Sequence, residues 1–262
     1  MRTLVVIATD NQAESIAGLL EQVLAARQDI EALVVDDNSP DGTADIVNKA
    51  MAAEARLHLL ERTAKEGLGA AYRAGFGWGL ARDYDALVEM DADLSHPPER
   101  LPALIDALDS ADVSIGSRYV PGGRTVGLSP LRKAISKLGN ADVGAVISLP
   151  MRDATAGYRG FRHQMLRALA VESTESNGYC FQIEMAHRAW QEGFRIVEVP
   201  ITFTERVAGT SKMHRRIVLE ALLRVTGWAL TGGRRRARPH HELSVTAPGL
   251  DTQAGLTAIR RW

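Results

Sequence analysis

The feature that most constrains the fold of this 262-residue chain is an alternation of short apolar runs with longer segments of helical periodicity. Residues 3–8 are an unbroken apolar run rich in β-branched side chains, which is typical of a parallel strand buried on both faces, and residues 30–35 form a second apolar strand. Between them, residues 11–27 repeat apolar side chains at helical spacing. The alternation predicts an α/β fold in which a mostly parallel sheet carries helices on both faces.

The same alternation continues along the chain. Further strands are expected at residues 57–60, 86–90, 113–115 and 197–203. Further helices are expected at residues 44–53, 68–80, 98–108 and 132–149. Pro200 favours an edge position for the last strand, because proline cannot donate a ladder hydrogen bond. After residue 231 the chain becomes basic and polar, so we expect one domain over residues 1–230 and a flexible tail over residues 232–262.

Composition excludes several classes of protein. The 31 Lys and Arg against 32 Asp and Glu leave a formal net charge of −1, which gives no field to attract nucleic acid. The single cysteine, Cys180, cannot form an internal disulfide, and the first apolar run ends at Asp10, too early for a secretory signal. No stretch reaches the roughly 18 apolar residues of a spanning helix. We therefore expect a cytoplasmic protein whose membrane contact, if any, is peripheral.

Two carboxylates follow the expected strand at residues 86–90, in the triplet Asp91-Ala92-Asp93. Two acids in one loop cannot both be buried without compensation, and their hard oxygens suit Mg²⁺ or Mn²⁺. The alternative is a solvated turn whose acids cap the following helix, and on spacing alone it carries equal weight.

A second acidic cluster, residues 36–43 (DDNSPDGT), follows the expected strand at residues 30–35. A carboxylate at this place can accept hydrogen bonds from the base or ribose of a nucleotide. The alternative is an Asx turn that caps the next helix, and on this cluster alone the turn is favoured.

Several strings follow one another in the order and spacing of a known family: VVDDNSPDGT, KEGLGAAYRAGFGWGL, VEMDADLSHPPE, IGSRYVPGG, RDATAGYRGFR and EVPITF. Over about residues 3–223 the chain closely resembles the polyprenyl-phosphate (dolichyl-phosphate) mannose synthases, which are family 2 glycosyltransferases of the GT-A fold. The resemblance implies a GT-A fold and a metal-dependent, inverting transfer of mannose from GDP-mannose to a polyprenyl phosphate. The acceptor phosphate is already ionised near neutral pH, so this reaction needs no general base.

The resemblance also implies roles for individual residues. The metal and the donor diphosphate would be held by Asp91, Ala92 and Asp93, with Ser95 as a third metal ligand. The other donor-binding positions it implies are Val35, Asp37, Arg206 and Lys212, the last two on a loop that can close over the diphosphate. The acceptor phosphate would be held by Arg118, Arg132 and Ser136, and the catalytic residues would be Asp91, Asp93 and Arg118. Positions near the sugar would be Asp153, Tyr158, Gln182 and Glu184. His96 matches a position that supports the metal acids rather than one that binds the metal.

One segment departs from the family pattern. Where the family usually has Pro-Thr-Tyr-Asn-Glu, this chain has Ala8-Thr9-Asp10-Asn11-Gln12, so Ala8, Asp10 and Gln12 occupy donor-contacting positions with altered chemistry. The lost aromatic ring removes a stacking surface, and Gln replaces an acceptor-only group. The alternatives are therefore a sister transferase that uses another nucleotide sugar, such as UDP-glucose, or a catalytically impaired regulatory homologue. A dinucleotide oxidoreductase is disfavoured, because no GxGxxG follows the first strand.

The lipid acceptor implied by the resemblance requires contact with a bilayer. An apolar helix expected at residues 214–231, with arginines at both ends, can either lie in the membrane interface or complete the core. We expect peripheral association with the cytoplasmic face of the membrane, and a membrane-protein partner that supplies an anchor is compatible with the sequence.

Overall fold

The computed structural model describes residues 1–174, 176, 178–205, 244 and 245. The strands are β1 (Thr3–Thr9), β2 (Ile30–Asp36), β3 (Leu57–Glu61), β4 (Ala86–Asp91), β5 (Val113–Ser117), β6 (Arg124–Val126), β7 (Arg159–Arg162), β8 (Ile196–Pro200), β9 (Thr202–Thr204) and β10 (Ser244–Val245). The helices are α1 (Ile16–Ala26), α2 (Thr43–Met51), α3 (Leu68–Leu80), α4 (Leu101–Ala107), α5 (Pro130–Ile147), α6 (His163–Ala168) and α7 (Tyr179–Glu192). Short 3₁₀ turns cover Pro98–Arg100 and Val171–Ser173.

Among these residues, eight strands form a central sheet in the order β10-β8-β5-β7-β4-β1-β2-β3. β7 runs antiparallel to both β4 and β5, and the other pairs in the sheet are parallel. The predicted, mostly parallel sheet is thus confirmed. A small second sheet pairs β6 with β9 in parallel.

Hydrophobic side chains cover both faces of the sheet, as the unbroken apolar strands predict. On β1, Leu4 and Val6 belong to one buried cluster with side chains of α3 and α7, whereas Val5 and Ile7 belong to a second cluster with side chains of α1 and α4. The helix α3 lies very close to the sheet at Gly75, where an added Cβ would fall 2.4 Å from a Val6 methyl carbon. A glycine is therefore required there by close packing.

Three sequence-based expectations change in the structure. Residues 197–203 were expected to form one edge strand, but β8 ends at Pro200 and the chain continues as β9 in the second sheet. β8 is not at the edge, since β10 pairs with it at Val197 and Glu198. β7 was not expected at all. The helix expected at residues 11–27 begins only at Ile16.

Several expectations fall outside the described residues. They are the domain boundary near residue 230, the helix at residues 214–231, and the tail at residues 232–262 except for the two residues of β10. No helix within the described residues combines the length and the apolar character needed to cross a bilayer.

Candidate active site

The carboxyl ends of three adjacent parallel strands bring predicted donor residues together. In the register of the sheet, Ala8 on β1 lies opposite Val35 on β2 and opposite Asp91 on β4. Asp37 directly follows β2, and its N–H donates to the Thr9 carbonyl at 3.1 Å. Four positions implied by the resemblance therefore meet at one edge of the sheet, where α/β folds place their ligands.

The two neighbouring acids after β2 have different roles. Asp36 accepts hydrogen bonds from the Thr9 hydroxyl at 2.7 Å, and from the N–H and hydroxyl of Ser39 at 2.8 and 2.7 Å. Asp37 is buried and forms an ion pair with Arg62. Burial raises the pKa of Asp37 above its ordinary value, and the Arg62 guanidinium opposes that rise. The Asx turn weighed as the alternative also forms, four residues further on, where the Thr43 N–H at the start of α2 donates to Asp41 Oδ1 at 3.0 Å.

Ser15 connects the divergent segment at the end of β1 to the loop of Asp91, Ala92 and Asp93. The Ser15 hydroxyl lies 2.9 Å from the Ala92 carbonyl oxygen and 3.0 Å from Gln12 Oε1. A hydroxyl carries one proton and can donate to one of these acceptors at a time. Asp10, at the position where the family has an aromatic ring, forms an ion pair with Lys65.

Asp91 and Asp93 are held by local hydrogen bonds that leave their carboxylates partly accessible. Asp91 ends β4 with its side chain 37% exposed, and its Oδ1 lies 3.3 Å from the Tyr72 hydroxyl. Its backbone N–H donates to His96 Nδ1 at 3.1 Å, so His96 supports the loop as expected. Asp93 Oδ1 accepts from the Ser95 N–H at 3.1 Å, and Ser95 is buried.

The electrostatic environment of this loop fits a cation. Tyr72 is fully buried, and burial raises its pKa, with further increases from the negative charges of Asp91, Glu89 and Asp93. Burial also raises the pKa of Glu89, to about 8. Within the described residues no group of three His, Cys, Asp or Glu side chains converges as a metal site. The resemblance implies a smaller ligand set, two carboxylates and Ser95, and Mg²⁺ commonly fills its other positions with water and substrate phosphate.

On the other side of the loop, Arg118 forms a two-pronged ion pair with Asp153. Its Nε lies 2.8 Å from Asp153 Oδ2 and its Nη2 lies 2.6 Å from Oδ1, while its backbone N–H donates to Oδ2 at 2.9 Å. The Asp153 side chain is fully buried, and the Asp153 N–H donates to Glu198 at 3.1 Å. Arg118, which was predicted to bind the acceptor phosphate, is thus joined directly to Asp153, which was predicted to lie near the sugar.

Tyr119 connects this ion pair to α5. The Tyr119 hydroxyl lies 2.8 Å from Ser136 Oγ, and the Arg118 guanidinium lies 5.1 Å from the centre of the Tyr119 ring. Arg132 lies one helical turn before Ser136, is 43% exposed and pairs with Glu205. A cavity of about 430 Å³ adjoins this region, lined by Tyr119, Lys137, Asn140, Ala141, Gly144, Leu149, Met151 and Arg152.

The protein-family model described as "Glycosyl transferase family 2" matches residues 4–170. The chain belongs to this family. It is 50% identical to the undecaprenyl-phosphate mannosyltransferase of Micrococcus luteus, over 88% of this chain and 95% of that protein. It is 47% identical to the polyprenol monophosphomannose synthase of Mycolicibacterium smegmatis, over 90% of each chain. It is also 36% identical to the dolichol-phosphate mannosyltransferase of Pyrococcus furiosus, over 85% of this chain and 62% of that protein.

Solved structures confirm that this family 2 glycosyltransferase has the GT-A fold. Glucosyl-3-phosphoglycerate synthase from Mycobacterium tuberculosis, in complex with Mn²⁺, UDP and glucosyl-3-phosphoglycerate, matches with a TM-score of 0.62 at 15% identity, covering 88% of this chain and 78% of that one. The mannosyltransferase PcManGT from Pyrobaculum calidifontis, in complex with GDP-Man and Mn²⁺, matches with a TM-score of 0.61 at 18% identity, covering 91% and 66%.

The structure adds residues of this transferase that sequence reasoning missed. Arg62, the partner of Asp37, directly follows β3, and its position beyond the end of a strand next to β2 was the available signal. Tyr72 lies within the matched string KEGLGAAYRAG, but a tyrosine in a small-residue helix gives no sign that it contacts Asp91. Arg206 and Lys212 lie outside the described residues.

The remaining predicted sugar-side residues are buried near the loop that leads into β7. Tyr158 stacks on His96 with ring centres 5.0 Å apart. Gln182 and Glu184 lie on α7, where Glu184 pairs with Arg188 at 2.6 Å. Their role toward a sugar stays a prediction.

Proposed function

We propose that this chain catalyses metal-dependent, inverting transfer of mannose from GDP-mannose to a polyprenyl phosphate. The observation that carries the proposal is a continuous series of sites: Asp37 at the end of β2, the Asp91 and Asp93 carboxylates after β4, and Arg118 after β5. These residues follow one another in that order along one edge of the sheet, and we assign to them the nucleotide, the cation and the acceptor anion. The relatives named as undecaprenyl-phosphate and polyprenol-phosphate mannose transferases support the acceptor and the sugar.

Mg²⁺ or Mn²⁺ is the proposed cofactor, held by Asp91, Asp93 and Ser95. Such a cation neutralises charge that develops on a departing diphosphate. The Mn²⁺ in the two solved complexes supports the proposal. Arg206 and Lys212 remain proposed contacts of the same diphosphate.

The acceptor phosphate is proposed to bind Arg118, Arg132 and Ser136. Because that phosphate is already ionised, the residues need only hold it in line with the anomeric carbon. His96 is not needed as a base, and its Nδ1 already accepts the Asp91 N–H. Attack by one nucleophile opposite the leaving group inverts the anomeric centre, so an α-linked donor gives a β-linked product.

GDP-mannose is the proposed donor, and the complex of PcManGT with GDP-Man supports this choice. A second candidate, transfer from another nucleotide sugar such as UDP-glucose, is favoured by one observation. Asp10 is engaged with Lys65, at the position where the family has an aromatic ring. A charged pair there cannot provide the same stacking surface for a base.

Peripheral association with a membrane is proposed from α5. Leu131, Ile135 and Leu138 recur at helical spacing and are exposed, Leu131 and Leu138 by 70%. Arg132, Lys133 and Lys137 lie on the same helix and can approach anionic headgroups. We place this contact at the cytoplasmic face, and the helix at residues 214–231, the tail at residues 232–262 and a separate anchor protein remain further proposals.

A donor panel tests the function. Purified enzyme is incubated with a short polyprenyl phosphate, Mn²⁺ and either GDP-mannose, UDP-glucose or GDP-glucose, and glycolipid is measured. The proposal expects product from GDP-mannose, and product from UDP-glucose alone would favour the second candidate. Asp91→Ala and Asp93→Ala should abolish transfer in a folded protein, since Asp91 is the last residue of β4, Asp93 lies in the loop after it, and neither is buried. A fully active Asp91→Ala would refute the metal assignment.

A further inference from the structure

We propose that Gly157 sets the room available to the transferred sugar, an inference that rests on the proposed function. Gly157 lies in the loop between Asp153 and β7 and faces Asp91 and His96. A Cβ built on Gly157 would lie 3.6 Å from His96 Cε1, and 3.8 and 3.9 Å from the two carboxylate oxygens of Asp91. The glycine therefore leaves a methyl-sized space directly beside the Asp91 carboxylate.

Neither the fold nor the backbone requires glycine at this position. The three distances are ordinary van der Waals contacts, so an alanine methyl would fit without moving His96 or Asp91. Gly157 is also not among the described glycines with positive φ, so an L-residue can adopt its conformation. This contrasts with Gly75, where the added carbon would overlap Val6. The space is thus left for a ligand atom rather than for packing.

The order of strands indicates which part of the donor occupies the space. The nucleotide-side residues Ala8 and Asp37 belong to β1 and the end of β2, on one side of β4. Gly157 precedes β7, which lies on the opposite side of β4, next to β5. The same loop carries Asp153, which binds Arg118 of the acceptor side. A donor whose diphosphate lies at Asp91 would therefore place its sugar at Gly157.

The side chain of Arg159 holds the loop that carries Gly157 in place. The Arg159 side chain is fully buried and donates to the carbonyls of Ala154 at 2.6 Å, Ala156 at 2.7 Å and Gln182 at 2.8 Å. Glu89, its cross-strand neighbour on β4, lies 3.7 Å from Arg159 Nε. Two of these charge-assisted hydrogen bonds hold the loop, and the third ties it to α7. The loop therefore cannot move back when a sugar and an added methyl group compete for the same space.

Gly157→Ala tests the inference, with Gly18→Ala as the matched control. A Cβ at Gly18 meets nothing within 4 Å, and this residue lies on α1 away from the loop. The affinities for GDP and for GDP-mannose are measured by calorimetry with Mn²⁺ present, together with KM and kcat for transfer and the thermal midpoint. GDP contains the nucleotide and the diphosphate but no sugar, so the two ligands separate the two parts of the site.

In Gly157→Ala, we expect an unchanged affinity for GDP and a GDP-mannose affinity lower by about ten- to a hundredfold, as overpacking by one methyl group implies. Gly18→Ala should bind both ligands like wild type. Equal weakening of GDP and GDP-mannose would overturn the inference, because the space would then hold the diphosphate. Unchanged affinity for both would overturn it as well. A wild-type enzyme that neither binds GDP-mannose nor transfers mannose would instead refute the proposed function, and the inference with it.

Discussion

Replacing Arg118 by alanine is expected to lower the free energy of unfolding by about 3–5 kcal/mol, because Asp153 is left fully buried without its charged partner. The ion pair has two short side-chain contacts, at 2.6 and 2.8 Å. The Arg118 backbone N–H still donates to Asp153 Oδ2 at 2.9 Å in the variant, which favours the lower end of that range. The neighbouring Glu198 carboxylate favours the upper end, since a second buried acid then faces the unpaired Asp153.

A double-mutant cycle isolates the pair. Arg118→Ala, Asp153→Ala and the double variant are unfolded in urea, and the free energies are extrapolated linearly to water. Removing both partners should cost less than the sum of the single changes, with a coupling energy of about 2–3 kcal/mol. Additive losses, or a single Arg118→Ala loss below about 1 kcal/mol, would refute the reasoning that this pair is desolvated and strongly coupled.

Arg132→Ala should raise the KM for polyprenyl phosphate about ten- to a hundredfold in steady-state kinetics. Ser136→Ala should raise this KM less, because a charged hydrogen bond is worth more than a neutral one. An equal loss of affinity for the donor would place both residues at the donor site. Restoring the family pattern with Ala8→Pro, Asp10→Tyr and Gln12→Glu should tighten GDP-mannose binding about tenfold, measured by calorimetry, if GDP-mannose is the donor. Burial alone raises the pKa of Glu31, but hydrogen bonds from His58, Tyr84 and Arg2 lower it to about 2. Its contribution to stability is therefore complete above pH 4.5 and lost as the pH falls toward 2, and Glu31→Gln should flatten that slope in urea titrations.

The edge of the sheet where Ala8, Val35 and Asp91 meet could be predicted, because the strands that form it have a clear apolar pattern in the sequence. β1, β2 and β4 are mainly apolar, since both of their faces are buried, although Glu31 lies within β2 and Glu89 within β4. Each of the three strands ends in a polar residue: Thr9, Asp36 and Asp91. Parallel neighbours then bring those ends together, so the proximity of Ala8, Val35 and Asp91 follows from the pattern. The same logic placed helices on both faces of the sheet.

β7 could not be predicted in this way. Its four residues, RGFR, have charged ends and a glycine, and they form a strand because β4 and β5 pair with them on both sides. The long-range partners in the site were equally hidden. Arg62 lies 25 residues from Asp37, and Arg118 lies 35 residues from Asp153, so only the fold brings these charges together.

The split of residues 197–203 into two strands has a similar cause. In the sequence, Pro200 favours an edge strand. In the structure it is the last residue of β8, opposite Ser117. The Ser117 carbonyl accepts instead from the Ile201 N–H at 3.1 Å, and the chain then leaves the main sheet. The proline marks the end of a strand here. The sequence pattern alone does not distinguish a proline on an edge strand from a proline at the end of an inner strand.

One measurement tests the central claim most directly: the identity and metal dependence of the product made from GDP-mannose and a short polyprenyl phosphate. The glycolipid is purified and the configuration of its mannosyl phosphate linkage is determined by NMR, from reactions with Mn²⁺, with chelator, and with chelator followed by excess Mn²⁺. The account predicts a β-linked mannosyl phosphate that is lost with chelator and restored by Mn²⁺. An α-linked product, equal turnover in chelator, or no glycolipid with Mn²⁺ present would contradict it.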